Sequence, residues 1–467
     1  MYATLTSQAN GASAVPPVMC NALLRPLAEQ VTAENGSTTV SDTQYDSHGW
    51  TVVTNNSYAI SGNPGSSLVS VSQVSIPATT VTDHDAMGRT TRSTDEHDGV
   101  QTWNTRTAYT GDRTTVIPPT GAVATTTVTD ARGQKTELDQ FTVAPTVSGN
   151  ATDGYTTTGG TSHTPRYGYD AAGHQNKVTG PDNAVWQFGY DLLGRKTSQA
   201  DPDAGTSHYG FDDAGNTVST TDSRTDELDF TFDLLGRKLT ETDKAKNFKV
   251  ASWLYDTLRI GQQTSSTSYV QGVTGGYTVA TTGYTTLGKS TGTKITLPAS
   301  EAPLPTSYQT TYTYSAKTQL LNSQIDPRTQ GLIGETITYG HDALGNPTTT
   351  SSSAQTYVGG TVYTNYGQPS QLTLGASSNP AWITYSYDDQ TRRPTERLIS
   401  RTQAPGPEVD DTTYSYDAAG NPLTTVDQQS ETGNTVNDTQ CYKYDALARL
   451  SQAWTAKATC PAQGTDP

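Results

Sequence analysis

A chain of 467 residues with only 32% hydrophobic residues falls well below the roughly 45–50% apolar share of ordinary globular domains. Charged residues make up just 16% and Tyr (26) far outnumbers Phe (6), which excludes charge-driven disorder and points to thin, wet sheet rich in Thr, Ser, Tyr and Gly. A formal charge of −16 argues against nucleic acid and anionic membranes as partners, and no apolar run reaches the length of a membrane helix.

Residues 1–40 read as an irregular lead-in, in which the weak helical character of Leu23 to Ala33 is interrupted by Pro26. Met1-Tyr2-Ala3-Thr4-Leu5 lacks the basic and apolar regions of a signal peptide. Either the chain is part of something longer or export uses another route. Residues 41–142 introduce a recurring phrase, first as Tyr45-Asp46-Ser47-His48-Gly49-Trp50 and then as His84-Asp85-Ala86-Met87-Gly88-Arg89. Two hairpin turns, Pro118-Pro119-Thr120-Gly121 and Asp130-Ala131-Arg132-Gly133, flank a strand over Val123 to Thr129. Residues 143–165 are Thr/Gly/Ser-rich, lack the phrase and are expected to form an internal loop or seam.

The phrase is most regular in residues 166–296. It reads Tyr169-Asp170-Ala171-Ala172-Gly173-His174, Tyr190-Asp191-Leu192-Leu193-Gly194-Arg195, Phe211-Asp212-Asp213-Ala214-Gly215-Asn216 and Phe232-Asp233-Leu234-Leu235-Gly236-Arg237. From Tyr190 to Phe211 and on to Phe232 the step is the same 21 residues. Tyr255-Asp256-Thr257-Leu258-Arg259 then lacks the Gly, and Tyr284-Thr285-Thr286-Leu287-Gly288-Lys289 lacks the Asp. Residues 297–310 are a Pro-rich loop. Residues 311–467 return to the phrase at His341-Asp342-Ala343-Leu344-Gly345-Asn346, Tyr363-Thr364-Asn365-Tyr366-Gly367-Gln368 and Tyr387-Asp388-Asp389-Gln390-Thr391-Arg392. The last copies are Tyr416-Asp417-Ala418-Ala419-Gly420-Asn421 and Tyr444-Asp445-Ala446-Leu447-Ala448-Arg449, with no polar capping unit after them.

Asp at the first corner of a type I turn can bond its own backbone two residues on, and Gly at the fourth tolerates the left-handed conformation that starts the return strand. That pairing makes a hairpin with a bulge. Trp186, Phe188 and Tyr190 alternate into one such turn, and Leu228, Phe230 and Phe232 into another, placing each set on one strand face. Each unit is therefore strand, tight turn, strand, looser turn, and a fixed period in the twenties marks stacked repeats. The expected fold class is all-β, a repetitive antiparallel β-hairpin strip.

Sites of chemistry are scarce. Gly283-Tyr284-Thr285-Thr286-Leu287-Gly288-Lys289-Ser290 fits the phosphate-cradling pattern, but that chemistry needs a helix to begin at the Lys, and a β-branched, Pro-terminated run follows. The recurring Asp residues read as turn-formers, because a catalytic carboxylate pair would be singular. Asp95-Glu96-His97-Asp98 and Asp201-Pro202-Asp203 offer clustered oxygens for calcium or are solvated acidic turns. No zinc spacing, G-x-S-x-G or Cys with a visible base occurs, so no catalytic group, cofactor or metal is expected. Cys441 and Cys460 can form a disulfide in an extracellular setting or stay as thiols, and Cys20 has no partner.

The phrases resemble the YD repeats of RHS-repeat proteins, the family of bacterial polymorphic toxins, insecticidal toxin-complex shells and animal teneurins. The resemblance covers roughly residues 40–467, and Tyr109 to Leu138 and Cys441 to Thr455 look like secreted, actinobacterial members. It implies a hairpin strip spiralling into a hollow shell that encloses a C-terminal toxin or, in teneurins, scaffolds adhesion. The family's core-associated segment with its self-cleaving aspartates has no match in Ser451 to Pro467, and no toxin domain follows. Some 300 strand residues cover roughly 4,800 Å², a sphere of radius about 20 Å with an inner radius near 15 Å. A compact domain of about 100 residues needs roughly 17 Å. The chain is thus expected to be a non-catalytic shell segment, secreted or on the cell surface, whose partners are the remaining shell and the toxin cargo. The alternative is an adhesion or carbohydrate-binding module whose Tyr ladder stacks on a surface glycan.

Overall fold

The computed structural model describes residues 3–5, 18–33, 36–69, 71–329, 331–401, 408–429, 436–457 and 459–461. Most of the expected lead-in before Val18, and the end of the chain from 462, lie outside the described residues. The fold is all-β, a long antiparallel sheet of consecutive hairpins. Among the described residues helix is confined to single 3-10 turns at Gln73–Ser75 and Ala299–Glu301. The chain divides into two units, one of Met1–Thr164, His341–Thr349 and Thr356–Pro467, the other of Pro165–Gly340 and Thr350–Gln355.

The second unit shows the construction most plainly. Strands Arg166–Tyr169, Gln175–Thr179, Val185–Tyr190, Lys196–Asp201, Gly205–Phe211, Thr217–Thr221, Glu227–Phe232 and Lys238–Asp243 each pair with the next. Register slips by one residue at the aromatic that ends each descending strand. Gly189 faces Ser198 but Tyr190 faces Lys196, and Phe211 and Phe232 sit at the same slip. Such a bulge absorbs the extra residue that the left-handed Gly introduces and sharpens the local twist. Among the described residues of this unit no hydrophobic side chain is fully buried. Cross-strand hydroxyl pairs such as Thr231–Thr240 (2.6 Å) and Thr267–Thr278 (2.9 Å) take the place of a core. The Pro-rich stretch 297–310 lies inside this unit.

The first unit corrects two expectations. Where the irregular lead-in is described, it is strand: Pro26–Thr32 pairs with Thr38–Tyr45. Pro26 takes the first position of its strand, where the missing N–H costs least. The buried face of that strand carries Ala28 and Gln30. Gln30 is accommodated because its amide donates to the Ser67 carbonyl (2.8 Å) and accepts from the Gly65 N–H (2.8 Å). The stretch 143–165 is not a loop but mostly a separate hairpin, Thr146–Asn150 with Gly154–Thr158. It packs Tyr155 and Ala151 against Ala108, and Thr91 donates to the Ala151 carbonyl at 2.6 Å. A second small cluster gathers Val40, Tyr58 and Ile76. Both clusters are buried.

Candidate functional site

The feature that recurs through both units is the turn corner. In the copy at Tyr190, the Asp191 N–H donates to the Arg195 carbonyl and the Gly194 N–H to the Asp191 carbonyl, both at 3.0 Å. Asp191 Oδ1 accepts the N–H groups of Leu193 and Arg195 at 2.9 Å each, while Oδ2 accepts Arg195 Nε at 2.7 Å. One carboxylate thus organises the turn with three charge-assisted hydrogen bonds. The residue after the Gly supplies the last donor in varied forms. It is Arg237 for Asp233 (2.6 Å), Asn216 for Asp212 (2.8 Å), His174 for Asp170 (3.0 Å), Asn346 for Asp342 (3.1 Å), Asn421 for Asp417 (2.8 Å) and Arg449 for Asp445 (2.8 Å). The hydrogen bond from the Arg195 N–H, then the Arg195 side chain, holds the Asp191 carboxyl below the usual range. Asp233 and Asp212 are held low in the same way, Asp212 chiefly by the Asn216 side chain.

Gly173, Gly194, Gly215, Gly236, Gly345 and Gly420 all take positive φ. Where the phrase lacks Gly the backbone conformation persists: Ala448 stands at φ 56 and Arg392 at φ 61. At Tyr255 the Gly is displaced rather than lost, because the Gly261 N–H donates to Asp256 Oδ1 at 2.7 Å. Sequence reading had no means to align that enlarged turn. On the opposite edge of the strip it reads Asp201-Pro202-Asp203 as an acidic turn or a calcium loop but does not connect it with Asp222 and Asp243, which cap turns at the same 21-residue step. The even spacing of those three Asp residues was the available signal.

Corners are tied to their neighbours. The Tyr hydroxyl reaches back to the carbonyl of the first return-strand residue of the preceding hairpin: Tyr109 to Thr90 (3.0 Å), Tyr190 to Gln175 (2.9 Å), Tyr314 to Ser290 (2.9 Å) and Tyr387 to Pro369 (2.9 Å). Arg195 reaches forward, donating to the Asp212 carbonyl at 2.8 Å with its guanidinium 4.9 Å from the centre of the Phe211 ring. Arg237 likewise covers Tyr255 at 4.5 Å and grips the Asp256 carboxylate at 2.9 and 2.6 Å. Its guanidinium is the chief reason that the Asp256 pKa is lowered to about 2.

In the first unit, late corners also meet early hairpins. Gln390 Nε2 donates to Thr102 Oγ1 (2.9 Å), Arg392 to the Ser57 carbonyl (2.9 Å) and Asn421 to the Gly121 carbonyl (3.0 Å), across 288, 335 and 300 residues of sequence. Tyr416 and Asp417 belong to the last of these corners. Beyond them Tyr444 and Asp445 form the final described corner, beside a disulfide between Cys441 and Cys460 with a Cα–Cα distance of 5.6 Å. Cys20 is a buried free thiol.

The remaining candidates resolve into strip. The phosphate-like stretch is strand Tyr277–Tyr284, a corner and strand Ser290–Thr296, with Lys289 over the Tyr314 ring. Asp201 caps its own turn and accepts Trp186 Nε1 at 2.9 Å. Among the described residues no three His, Cys, Asp or Glu are grouped to hold a metal.

An RHS Repeat family model matches residues 169–206, which hold the corners of Tyr169 and Tyr190. Residues 169–206 therefore carry an RHS repeat. The crystal structure of TcdB2-TccC3 aligns with a TM-score of 0.72 over 94% of this chain and 24% of that one, at 18% identity. TcdB2-TccC3 without its hypervariable C-terminal region aligns at 0.73 with 17% identity, covering 94% and 23%. The Photorhabdus luminescens Tc holotoxin pore gives 0.71 at 17% identity, covering 96% and 24%. The chain therefore spans about a quarter of the length of these solved chains, and at such identity the likeness is one of fold. No curated protein matches it by sequence.

Proposed function

We propose that this chain is a stretch of non-catalytic wall from a secreted bacterial RHS toxin, enclosing or presenting a toxic domain carried elsewhere on a longer polypeptide. The observation that carries the reading is how the corner chemistry is spent. Asp carboxylates, Tyr hydroxyls and Arg guanidinium groups bind neighbouring repeats, so residue types that elsewhere do catalysis here hold sheet together. Alignment with TcdB2-TccC3 along nearly the whole chain supports the same assignment. Its partners are further wall and the cargo.

The test joins the chain to the coding sequence downstream of Pro467 and follows proteolysis of the downstream domain. That domain resists digestion when joined and is degraded when expressed alone. Equal rates in both settings defeat the proposal, and saturable binding of the chain to a glycan array would favour an adhesion module instead.

A further inference from the structure

Among the contacts between late corners and early hairpins in the first unit, one involves a group that titrates near neutrality. His97 ends the strand Thr90–His97. Its Nδ1 lies 2.8 Å from the Pro77 carbonyl oxygen, so that nitrogen carries a proton and donates. In the neutral ring Nε2 is then an unprotonated lone pair. It faces Asp98 Oδ2 at 3.7 Å on its own hairpin and Asp389 Oδ1 at 3.7 Å on the corner that follows strand Ala381–Tyr387. A lone pair set against two carboxylates is repelled, and a second proton converts the same contact to attraction.

The other groups around the ring do not change that balance. Asp388 adds a third negative charge, with Arg393 acting on Asp388. The segment before the strand contributes carbonyls only, Pro77 to the ring and Ile76 to the Asp98 N–H at 3.1 Å. The flanking contacts, Gln390 to Thr102 and Arg392 to the Ser57 carbonyl, keep their charge state across the neutral range. The Pro77 hydrogen bond first, and then Asp389 and Asp98, hold His97 above the ordinary imidazole value.

We propose that His97 is a proton-controlled latch that fastens the Asp388–Arg393 corner to the early hairpin in acid and lets it loosen as the pH rises. Because folding raises the proton affinity of His97, the latch contributes fully below the ordinary value of 6.5 and is lost as the pH climbs through the folded value. Its partners are solvent-accessible, so the effect is modest.

Hydrogen exchange on the whole chain, corrected for intrinsic rates, tests it at the Asp388 and Arg392 amides, which close the corner. Their protection should fall roughly threefold between about pH 5.5 and about pH 8. H97Q should show the loosened level at both pH values. D389N should shrink the step and lower the His97 titration midpoint seen by NMR, and it carries the test alone if H97Q does not fold. A step that persists in H97Q overturns the latch. So does a His97 that titrates at or below the ordinary value in the parent chain.

Discussion

A single carboxylate does the organising at each corner that carries the Asp, and the corner geometry has measurable consequences. Gly194 stands at φ +78, and a Cβ there would lie 2.7 Å from His174 Nε2, whereas at Gly236 it would lie 3.1 Å from Asn216 Oδ1. Valine at either position is strained by its backbone conformation alone. Gly194→Val and Gly236→Val should each cost about 1–3 kcal/mol in chemical denaturation, with Gly194→Val the worse, and unchanged midpoints would refute the corner geometry. The Tyr hydroxyl makes a separate contribution. Tyr190→Phe removes the bond to the Gln175 carbonyl at little cost in packing and should lose about 0.5–1.5 kcal/mol. Phe211 and Phe232 show that the ring alone can serve, which accounts for a preference for Tyr rather than a rule.

At the scale of the hairpin, legibility followed locality. The corners at Tyr169, Tyr190, Phe211 and Phe232 could be read because Asp and Gly act on backbone only a few residues away. The strand Pro26–Thr32 could not, since its inward Gln30 looks solvent-facing until Ser67 and Gly65 are brought to it. Nor could the hairpin at Thr146–Thr158, whose largest apolar anchor, Tyr155, depends on Ala108 from a distant strand. The turns of the opposite edge share no such phrase, because Asn183, Thr225 and Asn247 take left-handed positions there and only the fourth, Gly205, is a glycine. The corners also set an acid limit. Asp191, Asp212, Asp233 and Asp256 have depressed folded pKa values, so their contribution is present above the ordinary 3.8 and vanishes as the pH falls through the folded values. For Asp256 that window reaches down to about 2. Strand circular dichroism should therefore hold from neutrality to about pH 4 and decline below it. Asp256→Asn should leave less to lose, and an unchanged acid transition in that variant would count against the Arg237 grip.

Across the molecule, the contacts that join residues 57–121 to residues 388–421 of the first unit carry no signal in the sequence, because each pairs groups hundreds of positions apart. The repeat and the all-β class could be read from a phrase of six residues. The path by which the strip meets itself could not.

Within the second unit the Arg and Tyr links described above bind each corner to its neighbour. A polymer fastened in that serial way yields to tension one fastening at a time. Stretched from its two ends by optical tweezers, it should give a saw-tooth trace rather than a single rupture. Each tooth should release about 70 Å of chain, the extended length of one period. Material of this kind dissipates a blow instead of shattering.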